Sequence, residues 1–344
     1  MSKPIRIAQI GINRYSHSGE IFYALQHASD LFEIAGYAIV EDERETCSEK
    51  LKDMEGYPEL TVEEILNDPT IEAVAVETDE IHLLKYAQMA AEHGKHIHME
   101  KPGSQDIIAF EQLIETVRKS GKVFHIGYMY RYNPFISDAI RRAKAGNFGQ
   151  IFSVEAHMSR LDPKEKREWF ASFKGGMMFY LGCHLVDLIL QIQGTPTRVL
   201  PLNTVTGVDG VHTEDFGFAV LQYPNATSVI RMSGVEVGGT RRRQLVICGS
   251  ERTVEIKPLE RNAVGTERKY MYYTEKTERY FDGAGTLVCE DSTSAPFGRY
   301  DDMLFSFAKM IRGEKKNPYT LEYELELFRV LMQCCGAESE RGKK

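Results

Sequence analysis

The run IRIAQIGINRYS at residues 5–16 decides the fold. Ile5 to Ile10 is short, mostly apolar and stops at Gly11, as a buried parallel strand does when it feeds a turn. A helical pattern follows over Glu20 to Ala28, with Ile21, Phe22, Leu25 and Ala28 apolar. Phe32 to Val40 reads as a second strand ending at the acidic pair Glu41-Asp42. Helical stretches near Thr46–Glu55 and Thr61–Leu66 lead to a third strand, Ala73–Val76. Glu80–Glu92 then reads as helix, Lys95–Glu100 as strand, Gln105–Ser120 as helix and Val123–Tyr128 as the last strand. Strands alternating with helices at this spacing form βαβ units, hence a parallel sheet with helices on both faces.

From about Ile151 the rhythm changes. A helix over Gly176–Gln193 precedes strand-like runs at Thr197–Val205, Asp215–Tyr223, Thr227–Val235, Arg243–Cys248, Thr253–Pro258 and Tyr270–Thr274. The short turns between them predict a largely antiparallel sheet. Two helices, Tyr300–Ile311 and Leu321–Cys335, close the pattern. The expected division is 1–125 as a dinucleotide-binding domain and 126–344 as an α/β substrate-binding and oligomerisation domain, with the helices of 300–336 free to pack back on the first. Ser159–Lys174 and Asp282–Ser294 read as pocket-shaping loops.

Bulk properties exclude several classes. The net charge of −8 disfavours a polyanion partner, since neutralising phosphates needs clustered Lys and Arg. Arg241-Arg242-Arg243 and the Arg341–Lys344 tail are too short to change that, so no nucleic acid partner is expected. No apolar run reaches the ~20 residues that span a bilayer. The most apolar stretch, Met177 to Ile192, is broken by His184, Asp187 and Gln191, and no membrane association is expected. The start, MSKPIRIAQIG, enters a strand without signal-peptide anatomy. The six cysteines lack CxxC spacing, which suits reduced thiols and a cytoplasmic location.

Gly11 permits the tight turn of a dinucleotide loop, and the following helix N-terminus offers free N–H groups to a pyrophosphate. Asn13 stands at the second position of G-x-G-x-x-G and Ser16 at the third. A side chain at the second position intrudes where backbone and diphosphate approach, although Asn tolerates unusual backbone angles. Glu41, ending the second strand, is able to accept both ribose hydroxyls of NAD and would repel the extra phosphate of NADP; the alternative is a solvated strand end. Lys101 lies just past the carboxyl end of a strand, where open α/β sheets bind ligands, and Pro102 fixes the backbone beside it. Such a lysine holds a substrate oxygen and passes its proton. His184, with an unperturbed pKa near ~6.5, suits proton exchange at neutrality. Asp187 shares its helix face and either orients it or satisfies a buried polar contact. His96 and His98 share a strand face, but with no third ligand no metal is expected. Met177 to Tyr180 reads as core packing.

Three segments carry a family resemblance. GKHIHMEKP at 94–102 strongly resembles the Gfo/Idh/MocA oxidoreductases, the group of glucose–fructose oxidoreductase and inositol dehydrogenase. GYMYRYNP at 127–134 is similar to the family's arginine-and-proline segment, and GGMMFYLGCHLVD at 175–187 to its glycine-led helix bearing a His and then an Asp. The resemblance implies an N-terminal Rossmann sheet, a C-terminal open-sheet domain and assembly into a homodimer or homotetramer through that open face. It implies a catalytic Lys101 and His184, with Tyr180 assisting. Gly11, Ile12, Asn13, Glu41, Thr78, Glu100 and Lys101 would face the cofactor, and Arg131, Arg160, His157 and Asp187 the substrate. Two departures stand out. Tyr180 replaces an Asp that supports proton removal, and Thr78-Asp79-Glu80 replaces Thr-Pro-Asn, bringing two acids near a diphosphate.

The sequence therefore predicts NAD-dependent hydride transfer, NADP being less expected, on a sugar, inositol or related polyol. The alternatives are a silent or regulatory binding protein on the same fold, favoured by Asn13, Asp79, Glu80 and Tyr180, and an enzyme using bound NAD for transient oxidation without net redox.

Overall fold

The computed structural model describes residues 3–337. They form two compact units: one runs through Met129 and adds Tyr300–Leu325, the other comprises Tyr130–Arg299 and the stretch from Glu326 on.

In the first unit, β1 (Ile5–Ile10), β2 (Phe32–Ala38), β3 (Ala73–Val76), β4 (His96–Met99) and β5 (Phe124–Ile126) pair in the order β2-β1-β3-β4-β5. Every pairing is parallel. All four residues of β3 are buried, as expected of a strand covered on both faces. The order reverses between β1 and β3, and ligands of open α/β sheets bind outside the carboxyl ends at such a point. Register does the rest. Ile10 lies opposite Val76 and Val76 opposite Met99, so Gly11, Glu77 and Glu100 leave three neighbouring strands at one level.

Helix starts follow side-chain capping. Thr61 and Glu64 form a reciprocal capping box, and Asp106 accepts the Ala109 N–H before the helix Ile107–Ser120, which Gly121 ends at φ 65°. The expected helix over Thr46–Glu55 is instead a 3₁₀ turn, Ser48–Met54, after a four-residue helix, Glu43–Thr46. The helix Asp301–Ile311 completes this unit, with Phe307 stacked on His125 at 5.5 Å and on Phe32 at 6.3 Å.

The second unit is built on an eight-stranded sheet. Its spatial order is 287–293, 275–281, 252–256, 244–249, 151–159, 226–233, 216–223 and 198–201. Pairing is antiparallel except between Ile151–Ser159 and Ala226–Ser233. Val154, Ala156, Met158, Ile230, Met232, Leu245 and Ile247 fill its inner face and are fully buried. Against it lies a helix that opens with a π-helical turn, Met178–Gly182, and continues as Cys183–Gln193. Gly175 and Gly176 introduce it. A Cβ on Gly176 would collide with the carbonyl of Glu214, and one on Gly175 with Cys335.

Further elements depart from the sequence reading. Pro134–Lys144 is a helix, Ile151–Ser159 is a central strand, the expected loop at 159–174 holds a short helix, Lys164–Trp169, and the expected loop at 282–294 is mostly the second arm of a hairpin, Leu287–Thr293. The helix Leu321–Cys334 spans the boundary between the units in sequence, so its last turns belong to the second. Among the described residues no helix is long and apolar enough to cross a membrane, and none of the six cysteines is in a disulfide.

Candidate active site

The dinucleotide loop is held from inside. Gly11 adopts φ +90°, and a Cβ there would run into Thr78, so the turn and the strand-end loop at 78 are fitted to each other. Asn13 is fully buried. Its amide nitrogen donates to Thr78 O at 3.1 Å and to Glu80 Oε2 at 2.7 Å. Its amide oxygen accepts the N–H groups of Tyr15 at 2.8 Å and Ser16 at 3.3 Å. Asn13 and Glu80 are thus one paired change rather than two, joined by that 2.7 Å bond. Glu80, expected as one of two acids near a diphosphate, is 2% exposed.

Two further side chains brace the same loop, and sequence reasoning missed both. Lys50, from the 3₁₀ turn, donates to Ser16 O at 2.8 Å and to Asn13 O. Glu43 is buried and accepts the N–H groups of Val40, at 3.0 Å, and Ile12. Acids and lysines in a surface-looking stretch (EDERETCSEK, 41–50) carry no hydrophobic signal that would mark two of them as inward-facing.

Burial is the leading cause of the unusual ionisation here. It pushes Glu43 and Glu80 up to about 7, opposed at Glu80 mainly by Lys101. It also raises Glu77, with the Glu100 charge next in weight. His98 is driven down to about 4 by burial; it lies 3.6 Å from Glu77 and 2.9 Å from His125 between ring nitrogens. An acid raised in the folded state binds a proton there at pH values where the unfolded chain has lost it. From their ordinary 4.5, Glu43 and Glu80 therefore make the first unit less stable as pH climbs to about 7, with no further change from them above it. Replacing both by Gln is expected to flatten this slope by roughly 2–3 kcal/mol per group between pH 4.5 and 7.5. Hydrogen exchange of the β1 and β3 amides measures it; an unchanged slope would show both groups ionised when folded.

Glu41 sits at φ 52° with its carboxylate bonded to Lys85 at 2.6 Å and Tyr86 at 2.8 Å, which hold it below the usual carboxylate range. Lys101 is buried, 3.5 Å from Glu100 and 3.9 Å from Glu80. Ile12 and Thr78 are buried as well.

These residues fit a dinucleotide. The Tyr15 and Ser16 N–H groups converge on an amide oxygen, a stand-in for an anionic oxygen at a helix N-terminus. The 11–16 loop would hold the diphosphate and Glu41 the ribose. Because Asn13 already uses those donors, the double change Asn13→Gly/Glu80→Asn is expected to tighten NADH binding about tenfold, the worth of roughly one charge-assisted hydrogen bond. Calorimetric titration tests it, and unchanged or weaker binding would refute the competition.

In the second unit, His184 is 5% exposed and takes the Tyr130 ring edge-on at 5.2 Å. Tyr180 is buried, consistent with the core reading of Met177 to Tyr180, and its hydroxyl accepts from Lys166 Nζ at 3.0 Å. Arg131 grips Asp187 with two nitrogens, the shortest contact 2.8 Å, and Gln191 donates to the same carboxylate at 2.9 Å. Both were expected to face substrate; the structure bonds them to each other, and Asp187 meets a buried polar need. Arg160 lies 2.6 Å from buried Asp162, and His157 is half-buried on the outer face of the sheet. His96 accepts the Val123 N–H at 3.0 Å, and no metal-binding cluster occurs among the described residues.

A Rossmann sheet with this turn defines the class, an NAD(P)-binding oxidoreductase fold. Residues 5–128 match the oxidoreductase family with NAD-binding Rossmann fold, and residues 137–255 the GFO/IDH/MocA C-terminal domain. The chain belongs to the Gfo/Idh/MocA oxidoreductase family. It is 36% identical over 131 residues to scyllo-inositol 2-dehydrogenase (NAD(+)) of Bacillus subtilis, covering 38% of each chain. It is 24% identical to the same organism's scyllo-inositol 2-dehydrogenase (NADP(+)) IolW, over 64% of this chain and 62% of the relative. Levoglucosan dehydrogenase, solved with NADH and L-sorbose, superposes with a TM-score of 0.78 at 17% identity, covering 95% of this chain and 94% of its own.

Proposed function

We propose that the protein is an NAD-dependent dehydrogenase of a sugar, inositol or related polyol. The observation that carries this reading is the shared level of Gly11, Glu77 and Glu100 at the carboxyl ends of β1, β3 and β4, with Thr78 and Lys101 the next residues along the chain. The inositol dehydrogenases among its relatives support the substrate class. Glu41 supports NAD over NADP, because a carboxylate there accepts ribose hydroxyls and repels a phosphate.

Bound, the nicotinamide supplies the hydride acceptor. Lys101 holds the substrate hydroxyl oxygen, its ammonium kept in place by Glu100 and Glu80. His184 takes the hydroxyl proton as general base, with Tyr180 assisting. Arg160 lines the substrate side. Titration with NADH and NADPH, read by nicotinamide fluorescence and thermal shift, is the test. NADH binding with NADPH weaker by tenfold or more supports it and opens a polyol screen; binding of neither by the folded protein refutes it.

The outer face of the eight-stranded sheet carries half-exposed Phe218, Val220, Val229 and Val246 beside Leu200. Covered by a second copy, this surface makes a homodimer or homotetramer. Light scattering that finds a monomer would refute that part.

A further inference from the structure

We propose that Tyr180 is a proton-carrying group of this site and that Lys166 is its positioning residue, a pair made possible by the π-helical turn 178–182. The inference rests on the dehydrogenase reading for its catalytic consequence, but not for the pairing itself.

The pairing is built from several buried parts. Lys166 comes from the short helix Lys164–Trp169 and is 4% exposed; Tyr180 is 3% exposed. The ammonium donates to the phenol oxygen at 3.0 Å and lies 4.6 Å from the ring centroid. Asp162, fully enclosed, lies 3.6 Å from that ammonium and 2.6 Å from Arg160 Nε, so a buried carboxylate balances the lysine's charge beside the phenol. Trp169 meets the Tyr180 ring edge-on at 5.3 Å and Phe170 lies at 5.4 Å, fixing the ring plane. On its own helix the next ionisable groups are Cys183 and His184. The strands packed beneath, 216–223 and 226–233, bury Gly217, Ala219, Leu221, Ser228, Ile230, Met232 and Ser233, none of them a charged group. Lys166 faces the phenol oxygen as a cation, and Arg160 lies against Asp162.

A cation donating to a phenol oxygen favours the phenolate over the phenol. π-helical turns recur at functional sites because they re-aim side chains within a helix, and this one carries Tyr180 at its centre, four residues before His184. In the oxidation direction His184 would take the substrate's hydroxyl proton and pass it to the Tyr180 phenolate, while the carbon's hydride would go to the oxidised nicotinamide dinucleotide, leaving a carbonyl. The phenol then returns its proton to water. Lys166 keeps its own protons throughout.

The single tryptophan gives a direct test. Trp169 is the only Trp in the chain and touches Tyr180, and an ionised phenol at that distance quenches indole emission. Fluorescence of the whole, ligand-free protein is followed from pH 6 to 11. Quenching is expected with a midpoint at least one unit below the ~10 of an ordinary tyrosine. Tyr180→Phe is expected to abolish it, Lys166→Met to move it up by a unit or more, and Lys166→Arg to keep it. A midpoint near that of a free phenol, or one that Lys166→Met leaves in place, overturns the pairing even in an active dehydrogenase. If Tyr180→Phe does not fold, the two Lys166 variants decide alone. With a substrate in hand, the acidic limb of the kcat/KM profile should follow the same midpoint through the same variants; a limb that ignores Lys166 overturns the proton-carrying role. A low midpoint without turnover on any polyol overturns the dehydrogenase reading and leaves the pairing standing.

Discussion

Replacing Lys101 with methionine is expected to lower kcat/KM by about 10²- to 10⁴-fold on whichever polyol the protein oxidises, the usual worth of a positioned proton-handling group. The fold should survive. Lys101 is enclosed with Glu77, Glu80 and Glu100, and a lost ammonium in such company would ordinarily strand buried charge. Here Glu77 and Glu80 are already raised by burial, and Lys101 is among the charges that lower them. Without it they take up protons rather than remain ionised. Circular dichroism and NADH binding should therefore stay near those of the parent while turnover collapses. Lys101→Arg sharpens the point: it keeps the charge but spreads it over a planar fork that no longer holds the hydroxyl oxygen at the same point, so cofactor binding holds and kcat falls. Activity within threefold of the parent in Lys101→Met would remove Lys101 from the chemistry.

The second large effect is on stability. Arg131→Met is expected to cost about 3–5 kcal/mol, because it leaves Asp187 charged and buried beside Gln191. Both side chains are at most 1% exposed, so solvent does not soften the loss. Trp169 lies in the same unit, and urea unfolding followed by its emission reads that unit directly. Arg131→Met/Asp187→Leu should regain much of the loss, since an apolar pair strands no charge. A single-variant cost under 1 kcal/mol would mean that the pair is not a support of the 183–193 helix and would return Arg131 to the list of groups available to a substrate.

The contrast between these two sites shows what the chain's letters disclose. Lys101 was singled out by its place just past a strand end and by the resemblance carried by GKHIHMEKP at 94–102, and the structure puts it there, buried beside Glu100 and Glu80. The parallel sheet was legible from strand composition, Ala73–Val76 being apolar throughout. Arg131 and Asp187 were placed by motif, and a motif does not say whether two charges 56 residues apart meet each other or a ligand. The Lys166–Tyr180 contact was hidden in the same way, since Lys166 sits in a charged stretch, KEKRE, that looks like solvated surface. The hairpin 275–293 escaped notice because its strands are polar on both faces; cross-strand bonds such as Thr277 to Asp291 at 2.6 Å and Tyr280 to Glu290 at 3.1 Å replace the apolar alternation. The helix Pro134–Lys144 had a readable start, Asn133 capping the N–H groups of Phe135 and Ile136 with proline first in the helix.

Phe307 gives the chain's order of synthesis a meaning. The ring that covers His125 and Phe32 belongs to a helix encoded after residue 300, whereas the strands it covers are complete by Ile126. A ribosome adding ~5–20 residues per second makes the intervening stretch in roughly 10–30 s. Throughout that interval the nascent N-terminal sheet has one flank bare, with His125 and Phe32 open to water or to a chaperone. A fragment cut at Met129 would stay in that condition permanently.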